Sequence, residues 1–241
     1  MTLIDALRYH LDGYSGTVET SLADLAGAAG APGVPGAAGA AATAGAAVRR
    51  RGRAAKYIPS KSKLLRSEYV CVDFETANRV QGASACQVAM VKVADGEVTD
   101  AFCTYLRPPE EHIVFEFSHI HSIYRGDVED APSWFDIADD VVAFVGGAPV
   151  YAHNATFDAS VWRGLDRYYF TGTLPDEFYC TARMSRRLLP QLPDHTLPTV
   201  TAYCAPGFAL NHHRADSDAL ACAHIVAQFQ RDRSLHELLA P

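Results

Sequence analysis

The sequence predicts an α/β fold: a mixed sheet, with three antiparallel strands first and parallel additions afterwards, flanked by helices. Two observations predict it. Residues 67–106 contain three apolar runs, two of them joined by an Asp-Gly turn, which is typical of consecutive antiparallel strands. Residues 130–230 alternate between helical patterns and short apolar runs, which is typical of strands added to a sheet through helical connections.

The first three strands are predicted at Tyr69–Asp73, Gln87–Val93 and Val98–Leu106. The first is an apolar run of the kind buried in the middle of a sheet. The second and third flank the sequence ADGE, and Asp-Gly is a favoured two-residue hairpin turn. We therefore expect these strands to pair as an antiparallel unit.

Helical patterns occupy 130–147, 154–170, 182–189 and 217–230, and strands are predicted at 148–154 and 177–182. On the first helix, Pro132 lies near the first turn and Gly146 stops it. The expected apolar faces are Phe135, Ala138, Val142 and Val145 on the first helix, and Phe157, Val161, Leu165 and Tyr168 on the second. Trp134 and Trp162 are expected in the core rather than as platforms for bases. This order of elements fits the ribonuclease-H-like architecture.

Two segments precede this folded part, which we place at 67–241. Residues 1–25 contain Leu3, Leu7 and Leu11, a spacing that suits either a short helix or a frayed segment. Residues 26–66 are an Ala/Gly/Pro-rich linker followed by a basic arm, and we expect both to be flexible. The near-periodic glycines also suit a trimeric assembly protein, but the triplets are few and prolines sparse, which favours the linker.

The basic arm, residues 49–66, carries eight lysines and arginines and no acid. Such a run is either a solvated arm or a sequence-independent contact to a phosphate backbone, and both interpretations stay open. Arg186 and Arg187 lie on a predicted helix, and they too are either part of a solvated face or contacts to phosphates. In contrast, residues 67–241 hold 12 basic and 24 acidic residues, so this domain is strongly acidic. This excess of acids is compatible with a site in which carboxylates bind metal ions and the metal ions bind phosphate.

The composition also indicates the cellular compartment. The six cysteines form no CxxC pair, which favours a reducing, cytoplasmic setting without a disulfide framework. The N-terminus lacks a secretory signal pattern. Residues 26–48 are uncharged, but they are mostly Ala and Gly broken by prolines, so no membrane span is expected.

Carboxylates mark the candidate site. Asp73 and Glu75 follow the first strand, and side chains two residues apart on a strand share a face. Adjacent carboxylates repel unless a cation lies between them, and oxygen ligands suit Mg²⁺ or Mn²⁺. An isolated pair of this kind is more often a solvated turn. However, HNATFD at 153–158 supplies Asp158 where a strand passes into a helix, and HHRADSDA at 212–219 adds His213 and Asp218.

DFE, HNxxFD and HxAxxD, in this order over residues 69–230, resemble the three motifs of the DEDDh 3′–5′ exonucleases. These are relatives of the proofreading epsilon subunit of bacterial DNA polymerase III and of ribonuclease T. The resemblance implies that Asp73, Glu75, Asp158 and Asp218 bind two divalent cations, Mg²⁺ or Mn²⁺. It implies that His213 is the general base, and we favour the pair His213–Asp218 over His212–Asp216.

The resemblance further implies a substrate-binding set: Thr76, Phe74, His121, Ile123 and Asn154. Thr76 follows the second acid, Asn154 orients the second motif, and His121 and Ile123 lie near the terminal sugar and base. The side chain of Phe74, between the two acids, is expected to point into packing. Ser122 stands where the family commonly has glycine.

Two metals about 4 Å apart can clamp the attacking and leaving oxygens of a phosphoryl displacement. The expected activity is therefore release of 5′-nucleotides from single-stranded or frayed 3′ ends of DNA. RNA 3′-end trimming and a non-catalytic nucleic-acid-binding module are the alternatives. Only 11 residues follow the last predicted helix, so no polymerase-binding C-terminal tail is evident. The expected partner is nucleic acid with a free 3′ end.

Overall fold

Five strands form one sheet in the computed structural model, which describes residues 57–80 and 82–239. The strands are β1 (Glu68–Thr76), β2 (Ala85–Ala94), β3 (Glu97–Tyr105), β4 (Val150–Ala152) and β5 (Phe178–Cys180). Their spatial order is β3-β2-β1-β4-β5. β1, β2 and β3 pair antiparallel, whereas β4 joins β1 and β5 joins β4 in parallel. This confirms the predicted mixed sheet.

The hairpin between β2 and β3 turns at Asp95 and Gly96, whose φ angles are 51° and 84°. A type I′ turn needs positive φ at both central residues, which is why Asp-Gly suits it. At the other end of the pairing, the register between β1 and β2 shifts between Glu75 and Thr76. Such an irregularity re-aims side chains at the end of a strand. Here it lies beside one of the candidate acids.

Seven α-helices are described: α1 (Lys61–Leu64), α2 (Ser118–His121), α3 (Trp134–Val145), α4 (Ala155–Tyr169), α5 (Thr181–Leu188), α6 (Leu197–Cys204) and α7 (Ala215–Arg231). Short 3-10 helices lie at Glu110–His112, Arg125–Val128 and Arg233–Leu238. The predicted helices correspond to α3, α4, α5 and α7. The others were missed because two are single turns and α6 is a short helix without a marked apolar stripe.

The sheet separates two apolar layers. On one face, Tyr69 and Cys71 of β1 pack with the residues of α7. On the other face, Val70, Val72 and Phe74 pack with α3 and α4. Since side chains alternate along a strand, β1 is buried on both faces. Trp134 and Trp162 are 1% and 0% exposed, so both belong to the core, as predicted.

The predicted apolar face of α3 was partly wrong. Phe135 and Val142 are 64% and 52% exposed, whereas Ile137 and Val141 are buried. The reason is that α3 turns the face containing Trp134, Ile137 and Val141 towards the sheet, which is the i, i+3, i+7 stripe. On α4, Val161 and Leu165 are buried as expected, but Tyr168 is 37% exposed near the end of the helix.

The segment before β1 packs against the domain. Leu64 is fully buried, and Gln230 of α7 donates Nε2 to the carbonyls of Leu64 and Arg66 at 2.7 and 2.9 Å. Lys63 and Arg66 both form ion pairs with Glu177. Residues 57–66 of the arm that was expected to be flexible therefore contact the folded domain. The expected short helix over 1–25 and the rest of the linker and arm, 26–56, lie outside the described residues.

All six cysteines are free thiols, and five of them are buried. Within residues 57–80 and 82–239, no helix has the length and apolar character needed to cross a bilayer. The uncharged stretch 26–48 lies outside these ranges.

Candidate active site

The carboxyl end of β1 presents Asp73 and Glu75 on the face covered by α7. Both share the face of Tyr69 and Cys71, which contact α7 in the core. Glu75 is 9% exposed, and Asp73 is partly exposed. Burial, then Asp218, then Asp158 raise the pKa of Glu75 to about 8. Burial, followed by the charges of Asp158 and Glu75, holds the pKa of Asp73 well above its usual range.

Asp158 reaches the same place from α4. It lies in the first turn and is 1% exposed. Its Oδ1 accepts a hydrogen bond from the backbone amide of Phe74 at 3.3 Å, which ties α4 to β1. Burial raises the pKa of Asp158 to about 8, although this amide bond favours the charged form. The second motif is thus positioned by the backbone of the first.

Asp218 completes the set from the first turn of α7. It is 4% exposed, and its Oδ2 accepts the backbone amide of His213 at 3.0 Å. Nδ1 of His212 lies 2.9 Å from the same oxygen. One oxygen of each of Asp73, Glu75 and Asp218 can be chosen so that all three lie within 4.8 Å of one another. Side chains from β1 and α7, far apart in sequence, therefore lie together, and Asp158 from α4 is close enough to raise the pKa of Asp73 and Glu75.

The residues present fit divalent cations. Among the described residues, Asp158 Oδ2 and Asp218 Oδ1 are buried without a hydrogen-bond partner. A buried carboxylate oxygen without a partner is unfavourable unless a proton or a cation satisfies it. Burial is the first cause of the raised pKa values of Asp73, Glu75 and Asp158, and the charges of the neighbouring acids add to it. An all-carboxylate set of this kind suits hard cations such as Mg²⁺ or Mn²⁺.

His212 and His213, the two histidines of HHRADSDA, lie at the solvent-exposed edge of the carboxylate cluster. Their rings stack with centroids 3.9 Å apart, and His213 has a φ of 68°. His213 contacts Asp218 through its backbone, so its exposed ring stays near the carboxylate without being hydrogen-bonded to it. His212 makes the direct contact, which the sequence interpretation did not assign. Asp216 pairs instead with Arg214 at 3.4 Å.

The pKa of His213 is lowered, mainly by the partial desolvation of its ring at the rim of the site and then by His212, while Asp218 opposes the shift. The ring is therefore neutral around pH 7, because the usual pKa of histidine is near 6.5. A neutral imidazole has one nitrogen that can accept a proton. This suits the general base that the resemblance implies.

Of the expected substrate-binding residues, Thr76, His121 and Ile123 are buried, at 5%, 7% and 4% exposure. The ring of His121 spans Thr76 and Ile123: Nε2 lies 3.2 Å from the Thr76 carbonyl, and Nδ1 accepts the Ile123 amide at 3.0 Å. Both ring nitrogens are therefore used inside the protein. His121 braces the end of β1, which differs from the expected contact with a terminal sugar.

Phe74, expected among the substrate-binding residues, has its side chain in the core. Its side chain is 2% exposed, and its ring packs edge-on against Trp162, with centroids 5.7 Å apart. It lies on the opposite face of β1 from Asp73 and Glu75, as strand alternation requires. Only its backbone amide contributes to the site, through Asp158.

Asn154 is exposed and precedes α4, with a φ of 70°. Its carbonyl accepts the Phe157 amide at 2.8 Å. Ser122 also has a left-handed backbone, with a φ of 59°, and this conformation explains why glycine suits that position. His153 acts structurally: Nδ1 lies 2.9 Å from Thr181 Oγ1, and Nε2 lies 3.0 Å from the His195 carbonyl.

Asn78 is a further positioning residue that the sequence interpretation missed. Its Nδ2 donates to the carbonyls of His112 and Val114, both at 2.8 Å. These bonds tie the chain just after β1 to the loop that precedes α2. Asn78 follows the DFE motif by three residues, and asparagine after a strand commonly bonds nearby backbone. This position after the strand was the sequence signal that could have identified Asn78 as a positioning residue.

Comparison with known proteins agrees with this geometry. The sequence model described as Exonuclease (RNase_T) matches residues 70–226. DNA polymerase III PolC-type of Clostridium perfringens is 31% identical over 161 residues, covering 66% of this chain and 11% of that protein. The corresponding protein of Halalkalibacterium halodurans is 29% identical over 181 residues, covering 73% of this chain and 12% of that protein. The chain thus spans only a small part of the length of these relatives.

Solved structures share the fold. The nuclease domain of 3′hExo, a DEDDh family member bound to rAMP, has a TM-score of 0.60 at 13% identity, over 70% of this chain and 94% of that one. E. coli exonuclease I with a dA13 oligonucleotide has a TM-score of 0.58 at 16% identity, over 71% of this chain and 42% of that one. Exonuclease X in complex with 5′ overhanging duplex DNA has a TM-score of 0.53 at 24% identity, over 71% and 97%.

Proposed function

This chain belongs to the exonuclease family, and we propose that it is a metal-dependent 3′–5′ exonuclease. Its substrate is the single-stranded or frayed 3′ end of DNA, from which it releases 5′-nucleotides. The observation that carries the proposal is the grouping of Asp73, Glu75 and Asp218, with Asp158 close enough to raise the pKa of Asp73 and Glu75. Asp158 and Asp218 each retain a buried oxygen without a partner among the described residues. DNA is preferred over RNA because the sequence relatives are named as DNA polymerases.

The four carboxylates are the proposed ligands of two divalent cations, Mg²⁺ or Mn²⁺. When bound, these cations would polarise the phosphate, lower the pKa of an attacking water and stabilise the leaving oxygen. The protein holds the ligands in register through the Phe74 amide on Asp158 and the His213 amide on Asp218. Because these are backbone contacts, the positions of both acids depend on the fold itself rather than on mobile side chains.

In the proposed reaction, the water oxygen forms a bond to phosphorus while the bond between phosphorus and the 3′ oxygen breaks. A ring nitrogen of His213 accepts the proton of the water. The leaving 3′ oxygen takes up a proton from solvent, so the products are a 5′-nucleotide and a strand shortened by one residue that ends in a 3′ hydroxyl. A neutral His213 at pH 7 is consistent with this role, since a protonated ring could not accept the proton.

The test uses oligonucleotides of one sequence, as DNA and as RNA, labelled at the 5′ or the 3′ end. With Mg²⁺ or Mn²⁺, the 5′-labelled DNA should shorten one nucleotide at a time, whereas the 3′ label should leave at once as a mononucleotide. Chelator, or the Asp73→Asn or Asp218→Asn variant, should stop both.

If the RNA strand were shortened faster than the DNA strand, the proposed substrate would be RNA instead of DNA. Loss of the 5′ label first would reverse the proposed polarity. Binding of strands without cleavage under either metal would make the chain a non-catalytic module.

A further inference from the structure

Helix α5 carries an unusual charge for this domain. Three of the 12 basic residues within 67–241, Arg183, Arg186 and Arg187, lie in its eight residues, which contain no acid. Arg186 and Arg187 are exposed and form no ion pair with a carboxylate of the described residues. An exposed positive helix on a strongly acidic domain is a local attraction for an anion.

This helix begins beside the candidate active site. Thr181, its first residue, contacts His153 at 2.9 Å, and His153 directly precedes Asn154 at the start of α4. Two residues further along, Arg183 donates Nη2 to Thr156 Oγ1 at 3.0 Å. Thr156 is two residues before Asp158 on α4, which is about 3 Å along the helix axis. Thr156 is exposed and Asp158 is buried, on different sides of α4, so Arg183 lies beside the first turn of the helix that bears Asp158.

Arg183 is held in place by a residue outside the family match. Its guanidinium lies over the ring of Tyr57, 4.8 Å from the centroid. Tyr57 is in turn fixed to the edge of the sheet, because its carbonyl accepts the Cys180 amide at 2.8 Å. Five of the eight positive charges of the basic arm, at positions 49, 50, 51, 53 and 56, directly precede Tyr57 in sequence. Among the described residues, Tyr57 therefore links Arg183 to the segment that precedes β1.

We propose that Arg183, fixed between Tyr57 and Thr156, binds a backbone phosphate of the nucleic-acid strand adjacent to the reacting phosphate, and that α5 continues this phosphate track. The proposal rests on the proposed function and extends it, because it assigns the path of the strand outside the acids. The planar guanidinium can engage two phosphate oxygens, and stacking on Tyr57 sets its plane in advance. A strand near so many acids also needs a positive contact beside them.

The direct test is binding without turnover. A 5′-fluorescein oligothymidylate of 12 residues is titrated in chelator, at several salt concentrations, with the unaltered chain and with Arg183→Ala, Arg183→Lys and Tyr57→Ala. Arg167→Ala is the matched control, since it removes an exposed arginine of α4 about 16 Å along the axis from Thr156. Circular dichroism and thermal melting establish that each variant folds.

Arg183→Ala should weaken binding about 5- to 20-fold and reduce the slope of log affinity against log salt by about 1. Arg183→Lys should restore the slope but only part of the affinity, because lysine keeps the charge without the planar contact. Tyr57→Ala should weaken binding without changing the slope. Arg167→Ala should change neither. In the cleavage assay, Arg183→Ala should raise KM while leaving kcat within about twofold.

Two outcomes overturn the track: Arg183→Ala binding within twofold of the unaltered chain, or Arg167→Ala weakening binding as much as Arg183→Ala. Either result leaves the proposed function standing if nucleotides are still released. Conversely, a selective loss of affinity in Arg183→Ala, from a chain that cleaves nothing with Mg²⁺ or Mn²⁺, supports the track and overturns the exonuclease.

Discussion

The backbone amide of Phe74 donates to Oδ1 of Asp158 at 3.3 Å, although 84 residues separate them. This bond links the strand that bears Asp73 and Glu75 to the helix that bears Asp158. It leaves Oδ2 of Asp158 buried and without a partner among the described residues. The acid is thus oriented by one oxygen and available to a cation by the other.

The first prediction concerns Asp158→Asn. The amide oxygen of asparagine can still accept the Phe74 amide, so the fold should persist. In chelator at pH 9, the variant should be more stable than the unaltered chain by at least about 1 kcal/mol, because it removes a carboxylate whose pKa burial raises to about 8. Nucleotide release should fall at least about 10²-fold. Urea unfolding and the labelled-strand assay measure the two effects, and a variant that is both active and less stable would contradict them.

The second prediction is a dependence of stability on pH. Glu75 and Asp158 have folded pKa values raised to about 8 from 4.5 and 3.8. Between about pH 4.5 and 8 the folded metal-free protein binds more protons than the unfolded chain, so its stability should fall as the pH rises through this window. Mg²⁺ or Mn²⁺ binds the deprotonated acids, so its stabilisation should grow over the same range. Melting curves at pH 5 and 8, with metal and with chelator, test both signs, and the Glu75→Gln variant in chelator should show a weaker pH dependence.

The third prediction separates the two stacked histidines. His213→Ala should slow chemistry by about 10²–10⁴-fold if its ring accepts the proton. His212→Asn should cost less than about tenfold, because it removes only the contact from Nδ1 to Asp218. Single-turnover rates from pH 5.5 to 9 measure this. If His212→Asn proves to be the slower enzyme, the base is His212 and the assignment from the motif spacing is wrong.

The fourth prediction concerns the role of Phe74. Phe74→Ala should destabilise the fold by about 3–5 kcal/mol, since it leaves a cavity beside Trp134 and Trp162. Phe74→Leu keeps most of the volume and the same amide, so it should retain KM within about twofold. A stable Phe74→Leu enzyme with a KM raised tenfold would return the side chain to the substrate-binding set.

The fifth prediction tests where the domain begins. Leu64 is fully buried, whereas Leu65 is 44% exposed. Leu64→Ala should cost about 2–5 kcal/mol of unfolding free energy, and the adjacent control Leu65→Ala less than about 1. Chemical denaturation measures both. Equal and small effects would mean that residues 57–66 contribute little to the fold.

The predicted elements followed from local patterns. The Asp-Gly turn, the stop at Gly146 and the burial of β1 all depend on neighbours within a few residues, and the structure has each of them. The orientation of α3 depends instead on which face meets the sheet, and there Phe135 and Val142 were misplaced. Short helices such as α6 carry too little periodicity to be recognised.

By itself, the sequence indicated the mixed sheet and four of its flanking helices in order, because periodicity and turn residues are local signals. The candidate acids were indicated by the strand spacing of Asp73 and Glu75 together with the resemblance to the exonuclease motifs. Only the tertiary structure decided that His212 rather than His213 bonds Asp218 through its ring, that His121 is used inside the protein, and that Tyr57 and Thr156 hold Arg183. These contacts join residues that lie in backbone turns or on different helices and strands. Their distances depend on how the elements pack, which no local pattern encodes.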